Sequence, residues 1–402
     1  MAERNWAVIA VVAAVGLAGV ASPLRAQDEA DSARFRSRSL SVSPAIITTV
    51  GRDDNIFNDS AANNPKSDVM AIAVPVLQAW IRTPRVRFAS RNELDMYYFR
   101  DLTFLRAIDN DHTARIDVTL NRLMPWAAGN FAATRHRQNL EIDAIAKRRN
   151  DNVTAGADLR LTGKMSAGVY AGRSEVRYDS NSVFRGTDLA LSLNHTGSNE
   201  GLRIRFAATP LTTFSLDAEK GRDKFEFSPE RDSDSIRVGP SVDFKPLALV
   251  SGHAGFGFGR VTFKQPGQPE FKSTVGSVDL QYSFRATTQI AVTAQRNLEY
   301  SYLYAQRDYI LTALTPSVTQ RFGESWEIRG NVGRNRLSYR RRDPGVSELP
   351  AETILSYGIS AGYHIGRNRV GFDVQHNSRR SDVDDGRGYD RLRVTSSLTY
   401  GF

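Results

Sequence analysis

The chain has 402 residues, no cysteine and a net charge of +9, with a mean hydropathy of −0.39. That hydropathy excludes a bundle of membrane-spanning helices, and the absence of thiols excludes a disulfide scaffold. Nucleic acid is not indicated either, because the basic residues are interleaved with Asp along the chain instead of clustering.

Residues 1–26 read as a secretory leader. Arg4 stands in a short n-region, Ala7 to Val20 is an unbroken apolar run, and Ala26 offers a small residue before Gln27. Leu24 is a poor −3 residue, so a cut after Ala21 also fits. The apolar run of about 14 residues falls short of the roughly 20 that a spanning helix needs. Residues 27–39 are small, polar and charged, and are expected to form a flexible periplasmic tail. No second apolar run follows. Any entry into a membrane must therefore be as a closed sheet, since open strands leave backbone groups unpaired in lipid.

From Leu40 onward the polarity alternates in segments of about ten residues. Ala114, Ile116, Val118 and Leu120 oppose Arg115, Asp117, Thr119 and Asn121. Val153, Ala155, Ala157, Leu159 and Leu161 oppose Thr154, Asp158, Arg160 and Thr162, and Val278, Leu280, Tyr282 and Phe284 oppose Ser277, Asp279, Gln281 and Ser283. The last segment is the clearest: Leu392, Val394, Leu398, Tyr400 and Phe402 share one face, with Arg391, Arg393, Thr395, Ser397 and Thr399 on the other. A period of two puts these sets on opposite faces of a sheet. Segments 69–82 and 325–340 follow the pattern poorly, as bulges would explain.

Connections alternate between short and long. Short ones fall near Thr83–Arg85, Leu123–Trp126, Gly163–Met165, Thr209–Thr213, Lys245–Leu249, Arg285–Thr288, Phe322–Ser325 and Ile365–Arg369. Long polar ones lie near 58–68, 100–111, 139–150, 179–200, 223–234, 264–272, 302–308, 340–351 and 379–389. The expectation is one all-β domain over 40–402, a transmembrane antiparallel barrel of about 18 strands, with 16 as the alternative. Both termini would then be periplasmic. Trp126, Phe244, Phe284, Trp326, Tyr363 and Phe402 near short turns, and Tyr98, Phe99, Tyr178, Tyr302 and Tyr339 near long loops, are expected to form two interfacial girdles.

Three stretches resemble the outer-membrane β-barrels of exopolysaccharide and capsule operons, catalogued as putative β-barrel porins. They are Gly51-Arg52-Asp53-Asp54-Asn55-Ile56-Phe57, Arg177-Tyr178-Asp179-Ser180-Asn181-Ser182-Val183-Phe184, and the terminal Leu398-Thr399-Tyr400-Gly401-Phe402. The resemblance covers most of the mature chain. It implies an outer-membrane location in a Gram-negative cell, recognition of the aromatic-ended last strand by the outer-membrane assembly machinery, and a role in polysaccharide passage alongside other export-operon proteins.

The polar face supplies pore-lining candidates: Arg87, Arg91, Arg115, Asp117, Asp158, Arg160, Arg203, Arg205, Arg237, Asp279, Arg329, Arg391 and Arg393. Acidic residues on the same face include Glu93, Asp95, Asp217, Glu219, Asp243, Glu327 and Asp373. Guanidinium groups bind carboxylate or phosphate in a forked geometry, so a ring of them favours anionic solutes or acidic sugar chains. The bland reading is that Arg and Asp on neighbouring strands pair and fill the barrel.

Other chemistries find less support. His112, His136, His195, His253, His364 and His376 are scattered, without metal-ligand spacing or a Gly-x-Ser-x-Gly elbow. Ser251 and His253 share a face but lack a third partner, so no enzyme is expected. The Asp-rich stretches at Asp53-Asp54-Asn55, Asp179-Ser180-Asn181 and Asp382-Val383-Asp384-Asp385-Gly386 suit strand-ending turns better than calcium loops. No cofactor or metal is expected. Arg340-Arg341-Arg342 leaves open an adhesive role through loops that bind acidic glycans. Outer-membrane lipid is the partner the barrel itself requires.

Overall fold

The computed structural model describes residues 35–401 except 136–139, 143–144, 246–247, 286, 305, 341–350 and 382–385. The expected leader and most of the expected tail lie outside the described residues. The end of that tail is not loose: Phe35–Ser37 is a short strand that pairs with Leu40–Val42.

Eighteen antiparallel strands form the wall. They are β1 (Leu40–Asp53), β2 (Asp68–Arg82), β3 (Val86–Phe99), β4 (Ala107–Val118), β5 (Leu123–Thr134) and β6 (Arg148–Arg160). There follow β7 (Met165–Tyr178), β8 (His195–Thr209), β9 (Thr212–Phe225), β10 (Ser233–Phe244), β11 (Val250–Phe263) and β12 (Phe271–Phe284). The last six are β13 (Thr288–Tyr300), β14 (Asp308–Phe322), β15 (Trp326–Tyr339), β16 (Glu352–Ile365), β17 (Asn368–Arg380) and β18 (Tyr389–Gly401). Each pairs with its neighbours in sequence, and β18 returns to β1 from Ala45↔Gly401 to Asp53↔Arg393. Closure leaves no free sheet edge. The count is therefore the larger of the two expected.

Short turns and long loops segregate to opposite ends, and β1 begins and β18 ends at the short-turn end. Tight reversals there use left-handed residues: Asn121 between β4 and β5, Arg285 between β12 and β13, Gly323 between β14 and β15, and Gly366 between β16 and β17. Leu123–Trp126, expected to be a turn, instead opens β5, because Asn121 (φ 51°) reverses the chain earlier.

The alternating pattern sorts the side chains as expected. Leu202, Ile204, Phe256, Phe258, Leu392 and Leu398 stand exposed on the outside, where only lipid can cover them. Among the described residues no helix is long and apolar enough to cross a membrane, so the strands must do it.

Two expectations need correction. Strand β2 fits the pattern poorly because both of its faces are apolar: Met70, Val76 and Trp80 point inward and are buried. No bulge is involved, since β1 and β2 stay in register from Leu40↔Ile81 to Asp53↔Asp68. Strand β15 likewise pairs with β16 without a break, its inner face closing with buried Leu337 and then Tyr339. The girdles also change. Phe284, Trp326, Tyr363 and Tyr98 are exposed on the outside, whereas Trp126, Phe99, Tyr178 and Tyr302 are buried within the barrel or its mouth. Tyr339 packs inward against Tyr309, and Phe402 lies outside the described residues.

Candidate functional site: the lumen and its mouth

Inward-facing charge is largely committed to neighbours. Arg115 donates to Asp117 from Nη2 at 2.7 Å and lies over the Trp126 ring, 4.5 Å from its centroid. Arg205 bonds Asp158 at 2.8 Å, and Arg203 pairs with Asp217 on the adjoining strand. Arg91 pairs with Glu93. Arg391 donates through Nε to both oxygens of Asp53 at 2.9 Å. Arg203 with Asp217 and Arg391 with Asp53 pair between strands, whereas Arg115 with Asp117 and Arg91 with Glu93 pair along a single strand.

Three other candidates donate to neutral groups. Arg237 reaches Asn297 at 3.4 Å, Arg329 reaches Ser317 at 3.4 Å, and Arg393 reaches Gln375 at 2.5 Å. Arg160 is exposed beside Met124 near the short-turn end, where Arg87 is also exposed. Asp279 is exposed toward the interior and stands opposite His253 in register.

Sequence reasoning placed Glu327 on this surface but not the partners that hold it. Glu327 is nearly inaccessible, holds Arg369 Nε at 2.7 Å, and lies 3.1 Å from His364 Nε2. Arg369 reaches it by lying across Gly362, where a Cβ would come within 2.7 Å of Nε. Arg321 stands opposite Glu327 in register but has no carboxylate partner among the described residues, and its Nε is buried and unpaired, like that of Arg329. Alternation places each residue on the inner face, but only the three-strand register shows which cations are left over.

The mouth was missed altogether. Between β5 and β6, three apolar residues of one long loop touch three separate arcs of the wall. Leu140 packs on Tyr309, Leu311, Leu337 and Ile354 of β14–β16. Ile142 joins Val176 and Tyr178 of β7, together with helix α1 (Leu189–Leu193) and Tyr302. Ile145 packs against Met70 and Phe99, at the ends of β2 and β3. Leu140, Ile142 and Ile145 therefore reach three sides of the long-loop end. The signal available in the sequence was apolar spacing inside a polar loop.

Hydrogen bonds fix that segment. Glu141, fully buried, accepts from Ser301 Oγ at 2.5 Å and from the Tyr302 backbone N–H at 3.1 Å. Arg387 Nη2 donates to the Glu141 carbonyl at 2.8 Å, and Arg379 Nη1 to that of Leu140 at 3.1 Å. Glu352 holds both arginines, at 2.7 Å in the case of Arg387. Nearby, Arg231 donates to the carbonyls of Ser301 and Leu303, and Arg307 to Gln265 Oε1 at 2.6 Å. Burial pushes the Glu141 carboxyl up to about 7, against the pull of these donors. Burial, with Arg307 close by, lowers the Arg231 guanidinium to about 10.

Hydrolytic chemistry finds no complete constellation. His253 Nδ1 bonds Asp243 at 2.8 Å, but Nε2 leans over Gly255, away from Ser251. His136 lies outside the described residues. Among the described residues no cluster of His, Asp and Glu is suited to a metal. Asp53 is taken by Arg391 and the Asn55 N–H, so that acidic stretch ends a strand; Asp382 to Asp385 fall outside the described residues.

A closed antiparallel barrel with an apolar outer band and a charged, hydroxyl-rich interior defines an outer-membrane porin-like protein. Residues 39–402 match the family model described as Putative beta-barrel porin 2, and the chain belongs to that family. No curated protein matches it. Among solved structures it is similar to OccK5 (OpdH) of Pseudomonas aeruginosa, at 12% identity and TM-score 0.47, covering 90% of this chain and 98% of that one. It is also similar to OccAB4 of Acinetobacter baumannii, at 8% identity and TM-score 0.46, covering 91% and 99%. The FrpB iron transporter of Neisseria meningitidis gives 8% identity and TM-score 0.45, covering 94% and 83%.

Proposed function

We propose that the protein is a diffusion channel for small anionic solutes, with its short-turn end in the periplasm and its long-loop mouth narrowed by the segment around Glu141. The observation that carries this reading is the set of unneutralised guanidinium groups on β14 and β15. Arg321 and Arg329 face inward without a carboxylate partner among the described residues, while the acids around them are engaged elsewhere. Two such cations in a low-dielectric wall attract anions and repel cations. Ion pairing elsewhere makes the preference moderate. The lined mouth favours solutes of small cross-section over a folded macromolecule.

Passage of an extended sugar chain is the second reading. It is favoured by the inner face of β16 to β18, where Ser356 and Ser360 alternate with Gly358 and Gly362, Ser397 stands opposite Gly371 and Thr399 precedes Gly401 on the same face, offering hydroxyl groups to a polyol. A chain of that kind would require the Glu141 segment to move. Planar-bilayer recordings separate the two: small-anion current at rest supports the first, and current blocked by an added acidic polysaccharide supports the second.

A further inference from the structure

The outer face carries a feature that neither lumen nor mouth uses. On β6 to β15, the charged side chains that point outward near the long-loop end are mostly basic and stand among hydroxyl and apolar residues such as Thr196, Ser198, Ile310 and Thr312, whereas the outward residues near the short turns are apolar or aromatic, such as Phe206, Phe214, Phe322 and Trp326. These charges project from strands, not loops. A barrel whose outer face is apolar lower down holds them at head-group depth, where long basic side chains are stable only if their heads meet anions or water.

The acidic residues of this belt are already engaged. Arg149 takes Asp151, Arg177 takes Glu175, Arg222 takes Asp234 at 2.9 Å, and Arg260 and Lys272 share Glu270. Arg173, Lys224, Arg334 and Arg336 are exposed and have no carboxylate partner among the described residues. Strand register sets two of these unpartnered arginines, Arg173 and Arg336, in similar rows, each completed by a second guanidinium: Arg222, which also holds Asp234, and Arg296. Arg173 and Arg222 flank Ser198 on the outward face. Arg296 and Arg336 flank Thr312, whose hydroxyl accepts from Arg296 Nη1 at 2.9 Å. Adjacent strands lie about 4.8 Å apart, so each row brackets a hydroxyl with guanidinium forks roughly two strand spacings apart. Forked donors with an intervening hydroxyl match a phosphate group.

We propose that these rows bind the head groups of lipids bearing phosphate monoesters, in the leaflet that meets the long-loop end. Charge complementarity selects the occupant: the belt is basic beyond its own carboxylates, it faces the bilayer, and a phosphate monoester carries more than one negative charge near neutral pH.

The test uses the full chain folded into phosphatidylcholine vesicles with and without phosphatidic acid. Wild-type protein should melt higher with phosphatidic acid, and native mass spectra of the extracted protein should retain it over phosphatidylcholine. Retention should fall with added salt. The variant R173Q/K224Q/R334Q/R336Q, checked for folding by heat-modifiable gel mobility, should lose retention by at least about tenfold. Equal melting of the wild type in both vesicles would overturn the proposal without recourse to any variant. So would unchanged retention by the folded variant, or displacement of the lipid by millimolar inorganic phosphate, which would mark a site for free anions.

Discussion

Glu141 and Ser301, 160 positions apart in the chain, meet in a 2.5 Å hydrogen bond across the long-loop end of the barrel. The bond joins the loop after β5 to the loop after β13, so the mouth is built by contact between loops from different parts of the wall. Burial of the carboxylate at that contact makes the mouth sensitive to protons.

The pH dependence follows from the sign of the shift. The Glu141 carboxyl sits at about 7 when docked, against an ordinary value of 4.5. Docking strength is therefore fully present below about 4.5 and is lost as pH rises through about 7, a change on the order of 3 kcal/mol at most. The groups facing it, Arg387, Ser301, Tyr302 and Tyr339, limit the loss without reversing it. Single-channel conductance should rise between acidic and mildly alkaline solution, and Glu141→Gln should flatten that rise. A pH-independent wild-type conductance would refute the assignment.

Removing Arg369 strands Glu327 in the wall. Arg369→Ala should destabilise the barrel by about 3 kcal/mol, because a buried carboxylate loses its cation. The double variant E327Q/R369A should recover part of that loss. Urea unfolding in lipid vesicles reads both values; equal stability of R369A and wild type would show that the pair carries no structural weight.

Close packing over Gly201 gives a steric prediction. Tyr170 lies across this glycine to donate to Glu219 at 2.9 Å, and a Cβ at Gly201 would approach the ring to 2.3 Å. Gly201→Ala should cost about 1–3 kcal/mol by overpacking. Tyr170→Phe, which removes only the hydroxyl, should cost less.

The lipid-facing band has its own test. Phe256 is 72% exposed midway along β11. Phe256→Arg should destabilise the inserted barrel by about 2–4 kcal/mol. Arginine at Asp279, on the inner face, should be tolerated and should change ion selectivity instead.

Most of the fold was legible because a two-residue period sorts side chains without regard to their partners. Leu398 and Arg391 could be assigned to opposite faces from parity alone, and the alternation of loop lengths set the strand number. Parity fails where the interior is itself apolar. Met70 and Trp80 hid the face of β2, since residues packed inside a barrel look like residues packed against lipid. Trp126 misled for a related reason: an aromatic beside a turn fits a girdle equally well, but here it sits under Arg115. The mouth was illegible because its partners, such as Glu141 with Arg387, lie in different loops and no local period links them. The pairing of Arg203 with Asp217, by contrast, follows once the β8–β9 register is known.

The most direct test of the central claim is the reversal potential of the purified, folded protein in a planar bilayer under a potassium chloride gradient. An open channel is expected, with a reversal potential that reports moderate anion preference and a smaller one in R321Q/R329Q. A cation-selective current, or a folded barrel that passes no current across the pH range in which Glu141 ionises, would contradict it.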